Sequence, residues 1–145
     1  MKHLLMIMLF AISSTIPWEP NFETAKKNAT EQHKLILLNF SGSDWCGPCI
    51  RMHSEILADP NFLKMASLNL VMVNADFPRS KKKQPIGTIK QQNESLADSY
   101  NPQGKFPFTV LLDSSGKVIK TYEGLPDETA AQFTNEVKKI CDANK

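Results

Sequence analysis

The chain has 145 residues, 41% of them hydrophobic and 22% charged, with a formal net charge of +2. That is enough for one globular domain and not for two, and so small a positive charge gives no footing for a nucleic-acid partner. Its 3 cysteines are too few for a disulfide scaffold.

The first residues stand apart. Met1-Lys2-His3 is a short positive start, Leu4 to Ile12 is an unbroken apolar run, and Ser13-Ser14-Thr15 is small and polar. This is the order of a secretory signal peptide. The run is too short to cross a bilayer as a helix, which takes about 20 residues; a buried N-terminal strand or helix is the alternative. No cysteine follows it to carry a lipid anchor. We expect residues 1–16 to be a signal peptide, with an approximate cleavage point. Residues 17–145 then form one domain that works outside the cytoplasm, where disulfides persist.

From Trp18, the apolar positions Trp18, Phe22, Ala25 and Ala29 have helical spacing. Asn21 is the expected N-cap, and Glu23 falls in the first turn, where its charge suits the helix dipole. KLILLNF (34–40) is a continuous apolar run of strand length, read as a strand buried on both faces. SDWCGPCIRMH (43–53) follows and opens a helix carried by Ile50, Ile56 and Leu57 with Met52 or His53. Asp59-Pro60 ends it, and NFLKMASL is another short helix.

NLVMVNAD (69–76) reads as a second buried strand. FPRSKKKQPIG (77–87) is an exposed loop, in which Lys81–Lys83 form a solvated surface rather than a docking site. TIKQQNESLADSY is a polar helix ending near Asn101-Pro102. FPFTVLLD and KVIKTYEG are strands joined by the turn SSGK. The last segment, 126–142, starts at Pro126-Asp127-Glu128 and puts Ala130, Phe133, Val137, Ile140 and Cys141 on one helical face. The order α-β-α-α-β-α-β-β-α predicts an α/β fold, a mixed central sheet with helices on both faces.

Cys46 and Cys49 open the helix after the first strand. There the free N–H groups and the helix dipole stabilise a thiolate on the first sulfur, which raises the population of the nucleophile. The second sulfur lies about one turn on and can close a small ring. Pro48 suits the first helical turn, since its missing N–H had no partner there, and Trp45 covers one side of the site. Three other readings stay open. Haem attachment needs a histidine directly after the second cysteine, where Ile50 stands. A metal site of Cys46, Cys49 and His53 falls short of four ligands, and His53 reads more simply as a helix-boundary residue. A structural disulfide in so tight a loop adds little chain-entropy stabilisation.

WCGPC, the strand LILLNF before it, VNAD after it, and GKFPFTVLLDSSGKVI further on together resemble the thioredoxin superfamily, specifically its secreted bacterial members. The resemblance covers nearly the whole chain after residue 16. It implies a thioredoxin fold and a protein-disulfide reductase. Cys46 is then the attacking nucleophile and Cys49 the resolving cysteine, with Trp45, Gly47 and Pro48 as supporting residues. Pro107 is the implied cis-proline facing the sulfurs, which leaves the Phe106 backbone to pair with an extended client. No cofactor and no metal are implied. The expected partners are protein-disulfide substrates and a membrane-bound electron donor, with the mature chain a periplasmic monomer not inserted in the membrane. A disulfide oxidase or isomerase of the same fold, a copper or zinc module and a non-catalytic adaptor are the rival functions.

The chain also departs from the family. A buried aspartate of cytosolic thioredoxin is replaced by Asn39, and its lysine partner by Met72. FSGSD, between Asn39 and the tryptophan, is one residue longer than usual. An asparagine cannot accept a proton, so deprotonation of Cys49 needs another group or a water. Asp44 reads as an exposed loop residue and Cys141 as a core residue. NAT (28–30) and NES (93–95) match the glycosylation pattern but fall in predicted helices.

Overall fold

The computed structural model describes residues 17–145; the expected signal peptide lies outside them. Helix α1 (Phe22–Gln32) starts where Asn21 Oδ1 accepts the N–H of Thr24, and ends at His33 in the left-handed region at φ 53°. Strand β1 (Leu35–Ser41) follows, with all its residues buried. The helix α2 (Gly47–Arg51) then runs directly into a π-helical stretch, Met52–Leu57. Asp59 caps α3 (Pro60–Asn69) by accepting from the N–H groups of Asn61 and Phe62, and Pro60 sits at its start. Strand β2 (Leu70–Asp76), α4 (Gly87–Tyr100), β3 (Phe108–Leu112), β4 (Val118–Glu123) and α5 (Ala130–Ala143) complete the chain.

The sheet has the order β2-β1-β3-β4. β1 and β2 are parallel, which requires a long crossover, and α2 with α3 supply it. The β1/β3 and β3/β4 pairs are antiparallel. At the β3–β4 turn, Gly116 has φ 93°, open to glycine and strained for other residues, and Asp113 Oδ1 accepts the N–H groups of Ser115 and Lys117.

Two expectations need correction. β2 is an edge strand and is not buried throughout, with Val71, Asn74 and Asp76 half-exposed; its apolar run resembles that of β1, but it has a neighbour on one side alone. The last helix begins at Ala130 rather than at Pro126. Thr129 and Gln132 form a reciprocal capping box that fixes the start.

Side chains alternate along a strand, and β1 serves two cores. Ile36, Leu38 and Phe40 pack beneath α1 and α4, with Phe22, Ala25 and Leu96. Leu35 and Leu37 face the other way, toward Met52, Phe62, Phe133 and Val137. Cys141 belongs to this second core at 2% exposure, and burial pushes its thiol up to about 11. It is therefore an inert packing residue. Asn93 is buried and donates to the Asp76 carbonyl, which removes the second glycosylation pattern from the surface.

Phe133 is fully buried, with ring centroids of Phe62 and Tyr122 at 6.0 and 5.0 Å. Phe133→Ala should lower stability by about 3–5 kcal/mol, read as a fall in the urea midpoint at unchanged slope. A loss under 1 kcal/mol (about a third of the lower bound) would mean that α5 is loosely docked.

Candidate active site

Cys46 is the N-cap of α2, in extended conformation, and is joined to Cys49 by a disulfide with a Cα–Cα distance of 5.2 Å. The backbone N–H of Cys49 points at the Cys46 sulfur, 3.3 Å away. Any charge on that sulfur meets a fixed donor. Cys46 is 5% exposed and Cys49 1%, so Cys46 is the more accessible of the two sulfurs. Gly47 and Pro48 are exposed and leave the approach open.

Trp45 forms the rim. Its Nε1 donates to the Phe77 carbonyl at 2.8 Å, and its ring meets the Phe106 ring edge-on at 5.4 Å. The Arg79 guanidinium lies 4.3 Å from its ring centroid, a cation–π contact. A Cβ on Gly42 would come within 2.2 Å of the indole, so glycine is what lets the ring lie flat against the loop. Asp44 is half-buried rather than exposed: its carboxylate accepts the backbone N–H groups of Arg79 and Ser80, both at 2.8 Å. Those bonds hold its pKa below the usual carboxylate range. The lengthened loop is thus tied to the segment after β2. Lys81–Lys83 are exposed beyond it. The Phe106–Pro107 bond is cis, with Phe106 half-buried and Pro107 buried.

The main departure from expectation lies under the disulfide. Asn39 projects from β1 toward the α2 side and is fully buried. Its Nδ2 donates to Thr109 Oγ1 at 2.9 Å, and its Oδ1 faces His53 Nε2 at 2.8 Å. His53 is therefore no simple boundary residue. Its ring is also stacked on Trp18, centroids 5.3 Å apart. The direct neighbour of Asn39 on β2 is Asn74; Met72 pairs with Leu37, one step deeper in the apolar core. No charged pair occupies this site. Burial pushes the His53 pKa below its ordinary value, against a smaller upward pull from the Asp76 carboxylate. A cavity of about 400 Å³ opens here, with Cys49, His53, Ser41, Ser43 and Asn74 in its wall. Among the described residues, no group of three His, Cys, Asp or Glu side chains is arranged to hold a metal ion.

A family model described as a thioredoxin-like domain matches residues 22–140. The chain belongs to this thioredoxin-like family. It is 35% identical over 126 residues to the disulfide bond reductase DsbH of Chlamydia pneumoniae, covering 87% of this chain and 73% of that protein. The solved structure of a DsbH oxidoreductase superposes with a TM-score of 0.80 at 31% identity, covering 89% of this chain and 86% of the other. The thioredoxin-related protein DsbJ of Chlamydia pneumoniae is 26% identical over 132 residues, 91% of this chain but 37% of that longer protein. With a CXXC pair in this fold, the protein is a thiol–disulfide oxidoreductase. Arg79 is the neighbour of the site that sequence reading passes over; His53, Asn39 and Asp44 are visible in the sequence, but their contacts are not. The one local signal is that His53 falls four residues after Cys49, the same face of a helix.

The depressed His53 pKa has a stability consequence. A histidine harder to protonate when folded destabilises the fold as pH falls through its unfolded value, near 6.5. That loss grows down to the folded pKa and then levels off. Urea melts from about pH 7.5 to about pH 5.5, a range spanning that titration, should show the stability advantage of the wild type over His53→Gln shrinking on acidification. A constant difference would place the imidazole in solvent.

Proposed function

We propose that this thiol–disulfide oxidoreductase reduces protein disulfides outside the cytoplasm. The observation that carries this reading is the Cys46 sulfur at a helix start, receiving the Cys49 N–H, with Cys49 buried behind it. Kinship with a protein named as a disulfide bond reductase supports the reductive direction. Residues 1–16 are assigned as the export signal, and a membrane-bound dithiol donor as the source of electrons.

In the reduced protein, the Cys46 thiolate attacks one sulfur of a client disulfide. A mixed disulfide forms, and the other client sulfur leaves as a thiolate. Cys49, once deprotonated, attacks the Cys46 sulfur. The Cys46–client bond breaks, the second client sulfur leaves as a thiolate and takes up a proton, and the Cys46–Cys49 disulfide forms. Two electrons have passed to the client, and the donor dithiol returns them. Trp45 and Phe106 form the apolar rim against which the client lies, and the backbone beside Pro107 is its pairing edge.

Cys46→Ser should abolish exchange, whereas Cys49→Ser should accumulate clients as mixed disulfides, visible on non-reducing gels. Trapping by the Cys46 variant instead would reverse the two roles. Potentials within this fold span about 150 mV, so the direction is tested by equilibration with glutathione. A Cys46–Cys49 potential well below that of glutathione is expected; one well above it would make the protein an oxidase. N-terminal sequencing of exported protein should find Leu4 to Ile12 removed, and a start at Met1 would exclude cleavage.

A further inference from the structure

We infer that His53 is the proton acceptor for Cys49, serving the step in which Cys49 resolves the mixed disulfide. The inference rests on the oxidoreductase reading above and adds a residue to it. Asn39 Nδ2 is committed to Thr109 Oγ1, so its Oδ1 faces His53 and Nε2 must donate the bond between them. The neutral ring then carries its lone pair on Nδ1, the basic position. Nδ1 has no protein partner among the described residues, and no buried side-chain nitrogen or oxygen there goes unsatisfied. It therefore reaches solvent, and the accessible space beside it is the cavity that Cys49 also lines.

His53 follows Cys49 by four residues on one helical segment, so both side chains emerge on the same face. The cavity is open to solvent and, at about 400 Å³, wide enough to hold water between them; most of its lining surface is apolar, with Ser41, Ser43, Ser54 and Asn74 supplying polar groups. From the neighbouring elements the ring meets Asn39 on β1 and Trp18 before α1, and it feels the charge of the Asp76 carboxylate on β2. Asp76 is the one charge among these. Its own oxygens are engaged by Ser41 and by the N–H and hydroxyl of Ser43, and its charge favours an imidazolium. Burial keeps the imidazole neutral near pH 7. The proton passes from the Cys49 thiol to Nδ1 as Cys49 attacks Cys46, and the imidazolium then returns it, through solvent, to the departing client thiolate.

The test uses the reduced protein and an aromatic disulfide that releases a coloured thiolate. The first release reports attack by Cys46 and the second reports resolution by Cys49. For the wild type, the logarithm of the second rate should break in the histidine range, below about pH 6.5. In His53→Gln the first release should be unchanged within about 2-fold, while the second falls by about 10²-fold near pH 7, the lower range for a lost general base. The break should vanish with it. His53→Glu, which restores a proton acceptor, should recover part of the rate with its break at lower pH. An unaltered second release, or a slowed one with the break retained, overturns the inference but leaves the oxidoreductase reading intact. Absence of the first release in the wild type overturns both. If His53→Gln does not fold, the wild-type profile decides alone: a second rate without a break between about pH 5 and pH 7.5, around the histidine value, refutes the role.

Discussion

A primary amide lies in the middle of a strand that is covered on every side. Asn39 is fully buried, and an amide donor or acceptor left unpaired there costs about 1–3 kcal/mol. Both ends of the side chain must therefore find partners outside β1. Thr109 on β3 takes one end and His53 on the helical side takes the other. That requirement links the sheet to the segment carrying Cys49 by a directional bond, where apolar packing alone leaves orientation loose. Trp18 closes over the imidazole from the far side, so residues before α1 also bear on the geometry beneath the disulfide.

The same face of the sheet changes character along its length. On β1 it runs from Leu35 and Leu37 to Asn39 and Ser41, and on β2 from Leu70 and Met72 to Asn74 and Asp76. Parallel pairing keeps these gradients in step, so every polar residue arrives at the carboxyl ends of the strands. The apolar half anchors α3 and α5, while the polar half forms the cavity wall. Neutral groups at its deepest point avoid the desolvation cost that an ion pair incurs there. The nearest charge, Asp76, sits where serine donors can satisfy it.

What was legible in the sequence was local. The start of the CGPC helix, the Asn21 cap, the β3–β4 turn and the apolar face of α5 depend on residues within a few positions of one another. The start of α5 is ambiguous in the sequence because Pro126 is a start signal as good as the Thr129–Gln132 box, and only the reciprocal bonds of the box decide between them. β2 is ambiguous for a different reason. Its composition matches a central strand, and edge position follows from which strand β1 chooses as its second neighbour. The site divides in the same way. Cys46 and Cys49 announce themselves by spacing, but His53 meets Asn39 across 14 residues and Asp44 meets Arg79 across 35. Such contacts exist only after the sheet has formed. The π-helical stretch at Met52–Leu57 has no signal in the apolar periodicity.

The rim and the floor of the site are built for different tasks. At the rim, Gly42 admits the indole of Trp45, Asp44 ties down the backbone of Arg79 and Ser80, and Arg79 lies over the ring. None of these contacts involves a sulfur, so breaking or forming the disulfide leaves them undisturbed. Among the described residues, the protein donor aimed at Cys46 is the N–H of Cys49, which belongs to the helix backbone. What the cycle asks of the floor is that the buried thiol lose its proton. On the role inferred for His53, the neutral, solvent-open floor beneath Cys49 is where that proton leaves.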